Sequence, residues 1–173
     1  MAIQPHNIDT AVRSHHGTNM LSGIRWGTAA CAGLVGGVVF LMMEMLLIWI
    51  AMGQSPWGPP RMMAAMVMGK SVLPPPATFS APIMMVAMAI HIMMSVVYGV
   101  LLCAIVHRMS KGAALATGAL FGLVAVYLVN FHVVAPMMFP WFTEAQNWVS
   151  VLSHVVFGVV IAAVYTSARD RRA

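Results

Sequence analysis

Long apolar runs separated by short polar breaks dominate the chain, and four runs stand out: Thr28 to Met52, Ile83 to Val106, Ala113 to Ala135 and Trp148 to Thr166. Each approaches or exceeds the ~20 residues that a helix needs to cross ~30 Å of hydrocarbon. The pattern predicts an all-α fold, an integral membrane four-helix bundle. Residues 1–22 are polar and read as a flexible cytoplasmic tail, 23–168 as the four-helix transmembrane domain, and 169–173 as a basic cytoplasmic tail.

The breaks differ in kind. Between the first two runs, Pro60 to Val72 carries Met62, Met63, Met66 and Met68 with helical spacing, bounded by proline clusters. This predicts a short interfacial helix in the first outer loop, followed by a stiff return through Pro74, Pro75 and Pro76. A short basic turn, His107 to Gly112, joins the second and third runs and predicts antiparallel neighbours. Pro56-Trp57 after the first run and Pro140-Trp141 after the third, with His91 and His154 in the helices that follow, form a faint parallel repeat. Gly33 with Gly37, and Gly118 with Gly122, are four apart and permit close helix approach, within one chain or between copies.

Composition agrees with the pattern. With 61% hydrophobic and 8% charged residues the chain is neither a soluble domain nor a disordered tail. Its net charge of +5 does not point to nucleic acid, because the basic residues lie at the ends of apolar segments and form no stripe. They report topology. With both termini in the cytoplasm, Arg13, Arg25, Arg108, Lys111, Arg169, Arg171 and Arg172 lie inside and only Arg61 and Lys70 outside. Trp49, Trp57, Trp141 and Trp148 then gather at the outer interface. Cys31 and Cys103 sit in apolar segments without redox or haem-attachment spacing. No phosphate loop, G-x-S-x-G or H-E-x-x-H is present, so no enzyme is expected.

Candidate chemistry rests on ionisable residues inside the runs, which are costly in hydrocarbon. Glu44, His91, His132 and His154 are four such residues, one per helix, and Asn130 accompanies His132. Counted inward at ~1.5 Å per residue they lie roughly 12, 13, 6 and 10 Å below the outer helix ends. That matched depth is compatible with a transition-metal site from all four, or with a b-type haem between His91 and His154. It is equally compatible with side chains that only bridge helices, or with a proton path. The methionines suggest copper, the loop set more than those scattered round the second run. Arg61 and Lys70 suit either an anionic head group or interface anchoring.

Glu44-Met45, Ser55-Pro56-Trp57-Gly58-Pro59-Pro60-Arg61-Met62, Leu73-Pro74-Pro75-Pro76, His91, Tyr98-Gly99, Phe139-Pro140-Trp141-Phe142, Asn147-Trp148 and His154 together resemble a group of short four-helix bacterial inner-membrane proteins. Some of these carry the automatic label sodium:proline symporter, although 173 residues cannot hold two multi-helix transporter repeats. The resemblance implies a bacterial inner membrane and no mechanism. The expected function is therefore a small membrane protein with a polar Glu/His site in the outer leaflet, binding a metal ion or haem. The alternatives are an accessory subunit of a larger membrane complex, or a small proton-coupled transporter working as a homo-oligomer.

Overall fold

The structure, a computed structural model, describes residues 23–171. The expected tail over 1–22 lies outside the described residues, as do 172 and 173. All regular structure among the described residues is helical: α1 (Trp26–Met52), α2 (Gly58–Met68), α3 (Ala81–Val106), α4 (Lys111–Phe121), α5 (Ala135–Met138) and α6 (Trp148–Asp170). α4 and α5 are the two ends of one continuous third span, Lys111–Met138. Four helices are thus long and apolar enough to cross a bilayer, and the protein is a multi-pass, all-α membrane bundle. α6 runs to Asp170, two residues into the stretch expected as a tail, so Arg169 is helical. There its guanidinium donates to the His107 and Met109 carbonyls at 3.1 and 2.9 Å, tying the turn between α3 and α4 to α6.

Element ends follow local chemistry. Gly53, at φ 65°, takes the left-handed conformation that closes α1. Asn147 caps α6 by accepting from the Ser150 amide at 3.1 Å, and Ser110 caps α4 through the Ala113 amide. Between α4 and α5 the third span widens into π turns over Gly122–Leu128 and Asn130–Val134. Pro136 has no N–H for the His132 carbonyl, and its ring would crowd that carbonyl in a regular α-helix. The looser i→i+5 winding relieves both problems. Asn130 adds a bond across this stretch, donating to the Val126 carbonyl at 2.7 Å and to the Tyr98 hydroxyl at 2.8 Å.

α6 is the central helix. More than half of its best apolar window, 56%, is buried inside the bundle, against 22% for α1, so α1 is mainly the lipid-facing wall. α1 packs on α6 and α3, and the third span packs on α6. α3 and the third span, joined by the short turn, touch as expected, with Tyr98 against Phe121 and Asn130, though each lies more extensively against another helix. Both glycine pairs are consumed within the chain. A Cβ on Gly33 would stand 3.1 Å from the Gly99 Cα, and one on Gly158 would stand 2.8 Å from the Gly118 carbonyl carbon. The faint repeat has a counterpart in these crossings: His91, Ser95 and Gly99 of α3 face Gly33 and Gly37, while His154 and Gly158 of α6 face Gly118 and Gly122.

The expected loop helix is α2, beginning two residues earlier than predicted and followed by a short 3-10 turn, Lys70–Val72. It lies across the end of the bundle on α3, with Ala64 and Ala65 buried and Val67 and Met68 exposed. Arg61 is the staple of this cap. Its Nε donates to the Thr78 carbonyl at 3.0 Å and its Nη1 to the Val72 carbonyl at 2.7 Å. Ser55 donates to the Ala77 carbonyl, and Trp141 Nε1 to the Met62 carbonyl at 3.0 Å. Arg61 is thus engaged by the loop's own carbonyls.

Candidate functional site

Beneath α2 the bundle holds a cavity of about 140 Å³. That is close to the volume at which an engineered apolar cavity takes up benzene or xenon. Its walls are mostly apolar: Met62, Met63 and Met66 of α2, Met94 of α3, and the rings of Phe40, Phe131, Phe139 and Phe142. Its polar groups are Glu44 from α1, Ser150 and His154 from α6, and Asn130 from the third span. Such a lining, apolar with a few convergent polar groups, is the general character of a ligand site.

Glu44 is 4% exposed. Ser150 donates its hydroxyl to Glu44 Oε1 at 2.8 Å, and the Ser153 hydroxyl faces the same carboxyl without closing an ordinary hydrogen bond to Oε2. One turn along α6, His154 Nδ1 donates to the Ser150 carbonyl at 2.6 Å. In the neutral ring this leaves Nε2 with the lone pair. The imidazole is held by rings on several sides, with centroids at 4.7 Å from Phe40, 5.3 Å from Phe131 and 5.6 Å from Tyr127. Ser150 therefore links the carboxyl and the imidazole, using its hydroxyl for one and its carbonyl for the other.

His91 belongs to an adjoining, smaller cavity of about 60 Å³, which shares Phe40, Met63, Met94, Val126 and His154 with the first. Its Nε2 donates to the Gly37 carbonyl at 2.9 Å, across the α1–α3 crossing. Gly37 is required there, because a Cβ would come within 2.8 Å of Ser95 Cβ and 3.3 Å of His91 Nε2. The Phe40 ring lies against both imidazoles, at 5.8 Å from His91 and 4.7 Å from His154. With that ring in place and cavities of this size, no slot for a haem macrocycle opens between the two histidines.

His132 is the correction to the four-residue set. It is exposed, touches the site only through an edge contact to Tyr127 at 5.7 Å, and lines neither cavity. The π winding explains this, since looser turns rotate every later side chain away from its α-helical bearing. Asn130, two residues earlier, is the third-span polar group that reaches the cavity. Among the described residues no three His, Cys, Asp or Glu side chains gather as a metal-ligand group. The residues that sequence reasoning missed are Ser150, Phe40 and Met94. Only Ser150 left a trace, standing one helical turn before His154 and three residues after the cap Asn147.

Comparison of the chain with protein-family models, with curated proteins and with solved structures gave no match.

Proposed function

We propose that this chain is a binding protein of the bacterial inner membrane, both termini in the cytoplasm, that holds a transition-metal ion in the cavity beneath α2. The observation that carries the reading is the convergence of Glu44, Ser150 and His154 on one cavity from α1 and α6. Glu44 brings a carboxylate charge to the ion and His154 an imidazole Nε2, and the apolar wall keeps water from competing. α2 lies between the cavity and the outer surface, so an ion arrives past the cap. No step of catalysis is assigned.

The test is elemental analysis and metal titration of the full chain in detergent with Zn(II), Mn(II), Cu(I) and Ag(I). One ion per chain is expected to survive desalting, with affinity at least ~10-fold weaker in Glu44→Gln and in His154→Ala. Failure to retain any of the four ions refutes the reading. A second reading has its own observation: the Ser150–Glu44 hydrogen bond joins α1 to α6, as a helix bridge in an accessory subunit would. In that case the wild type is metal-free and co-purifies with a larger complex.

A further inference from the structure

Resting on the metal reading, we infer that the bound ion is soft and monovalent, Cu(I), held by the thioethers of Met63 and Met94 with Nε2 of His154. Among the described residues no three carboxylate, imidazole or thiol side chains gather to make a site for a harder divalent ion. What the cavity has in quantity is sulfur. Met63 from α2 and Met94 from α3 line both cavities, and His154 is the only nitrogen ligand that does the same. Thioether sulfur and neutral imidazole suit Cu(I), whereas manganese and magnesium favour oxygen donors and zinc takes thiolate, imidazole or carboxylate. Met62 and Met66 line the larger cavity from α2, which places two further sulfurs beside the site.

Two observations bear on this independently of the sulfur count. His154 is 7% exposed, and its Nδ1 is committed to the Ser150 carbonyl, so the other nitrogen is the one left for a ligand. Glu44, 4% exposed, closes no ordinary hydrogen bond at Oε2, where the Ser153 hydroxyl lies near the carboxyl. A single positive charge entering hydrocarbon is costly unless a negative one faces it, and the Glu44 carboxylate supplies that charge without having to ligate. The methionines divide accordingly: Met62, Met63, Met66 and Met94 line the cavity, while Met42, Met68, Met85 and Met93 are exposed.

The experiment uses the full chain in detergent, with Ag(I) as a redox-inert probe followed by Cu(I) against a chromophoric Cu(I) chelator, and Zn(II) in parallel. One Ag(I) or Cu(I) per chain is expected, with affinity at least ~10-fold lower in Met63→Leu and in Met94→Leu. Leucine keeps the volume and so the fold, and Met68→Leu is expected to bind as the wild type does. X-ray absorption of the copper-loaded wild type, which needs no variant, is expected to show sulfur scattering. A nitrogen-and-oxygen-only shell, or full affinity in a Met63→Leu/Met94→Leu double variant, overturns the assignment. Retention of Zn(II) through Glu44 and His154 with no silver uptake overturns it while leaving the metal reading intact. No uptake of any ion overturns both.

Discussion

The crossing of the third span with α6 is expected to be the least forgiving place in the bundle, and Gly158→Ala tests it. A Cβ built on Gly158 overlaps the Gly118 carbonyl oxygen, stands 2.8 Å from its carbon and 3.2 Å from the Gly122 amide nitrogen. All three are backbone atoms, so no side chain can swing aside. Carbon–oxygen contacts across such crossings lie at about 3.3–3.6 Å, which means the helices must part by about 1.5 Å. A gap of that size forfeits more than about half of the dispersion attraction at the seam. Overpacking of this kind costs about 1–3 kcal/mol, and alanine returns up to about 1 kcal/mol of helix propensity. The net expectation is a loss of about 1–2 kcal/mol. Gly27→Ala is the control, since Gly27 is helical and a Cβ there meets nothing within 4 Å. It is expected to be neutral or to gain up to about 1 kcal/mol. Reversible unfolding in mixed micelles, followed by circular dichroism, reads the difference. A Gly158→Ala protein as stable as Gly27→Ala refutes the argument, because it means this seam is not closed by backbone contact.

Ser150→Ala removes the donor at 2.8 Å from Glu44 and is expected to cost about 1–3 kcal/mol in the same unfolding assay, whereas an unchanged midpoint shows the carboxyl to be indifferent to that bond. Arg61→Ala deletes both bonds to the Val72 and Thr78 carbonyls, so limited proteolysis between residues 69 and 80 is expected to speed up several-fold with the spans intact; an unaltered cleavage rate denies Arg61 its stapling role. His132→Ala is expected to leave metal affinity within about twofold of wild type, since the side chain lines neither cavity, and a tenfold loss would return it to the site. Cys31 is exposed and Cys103 is fully buried, so a membrane-permeant maleimide is expected to modify Cys31 first in the folded protein, and equal labelling rates would contradict the packing of α3.

The four spans were legible because a bilayer imposes one demand, about 20 apolar residues per crossing, that a sequence meets openly. Their ends came within a few residues of the observed helices, except that α6 and the third span run further than hydropathy alone suggests. α2 was legible for a different reason: Pro59 and Pro60 open a helix well, and the chain between the proline clusters has helical spacing. What the sequence concealed was which helix sits at the centre. All four runs are comparably apolar, so hydropathy does not distinguish the central α6 from the lipid-facing α1. Small residues do not distinguish them either, because Gly33 and Gly37 of α1 mark a close crossing just as Gly158 of α6 does. The partners of those glycines are not written in either helix alone.

The site was half legible for a reason that the third span makes concrete. Depth along a helix follows from counting residues, and on that count Glu44 and His154 were matched and do meet at one cavity. Bearing around a helix follows from counting turns, and this fails wherever the winding departs from 3.6 residues per turn. Pro136 disturbs the winding of its own preceding turn, and the π winding begins further back, at Gly122. His132 lies inside that stretch, so its depth was readable and its bearing was not. Asn130 gains what His132 loses: it reaches the cavity and also spends its amide on the Val126 carbonyl and the Tyr98 hydroxyl. A proline a few residues downstream of an intramembrane polar group is therefore the signal to distrust that group's face, and the polar residue one half-turn earlier is the one to examine in its place.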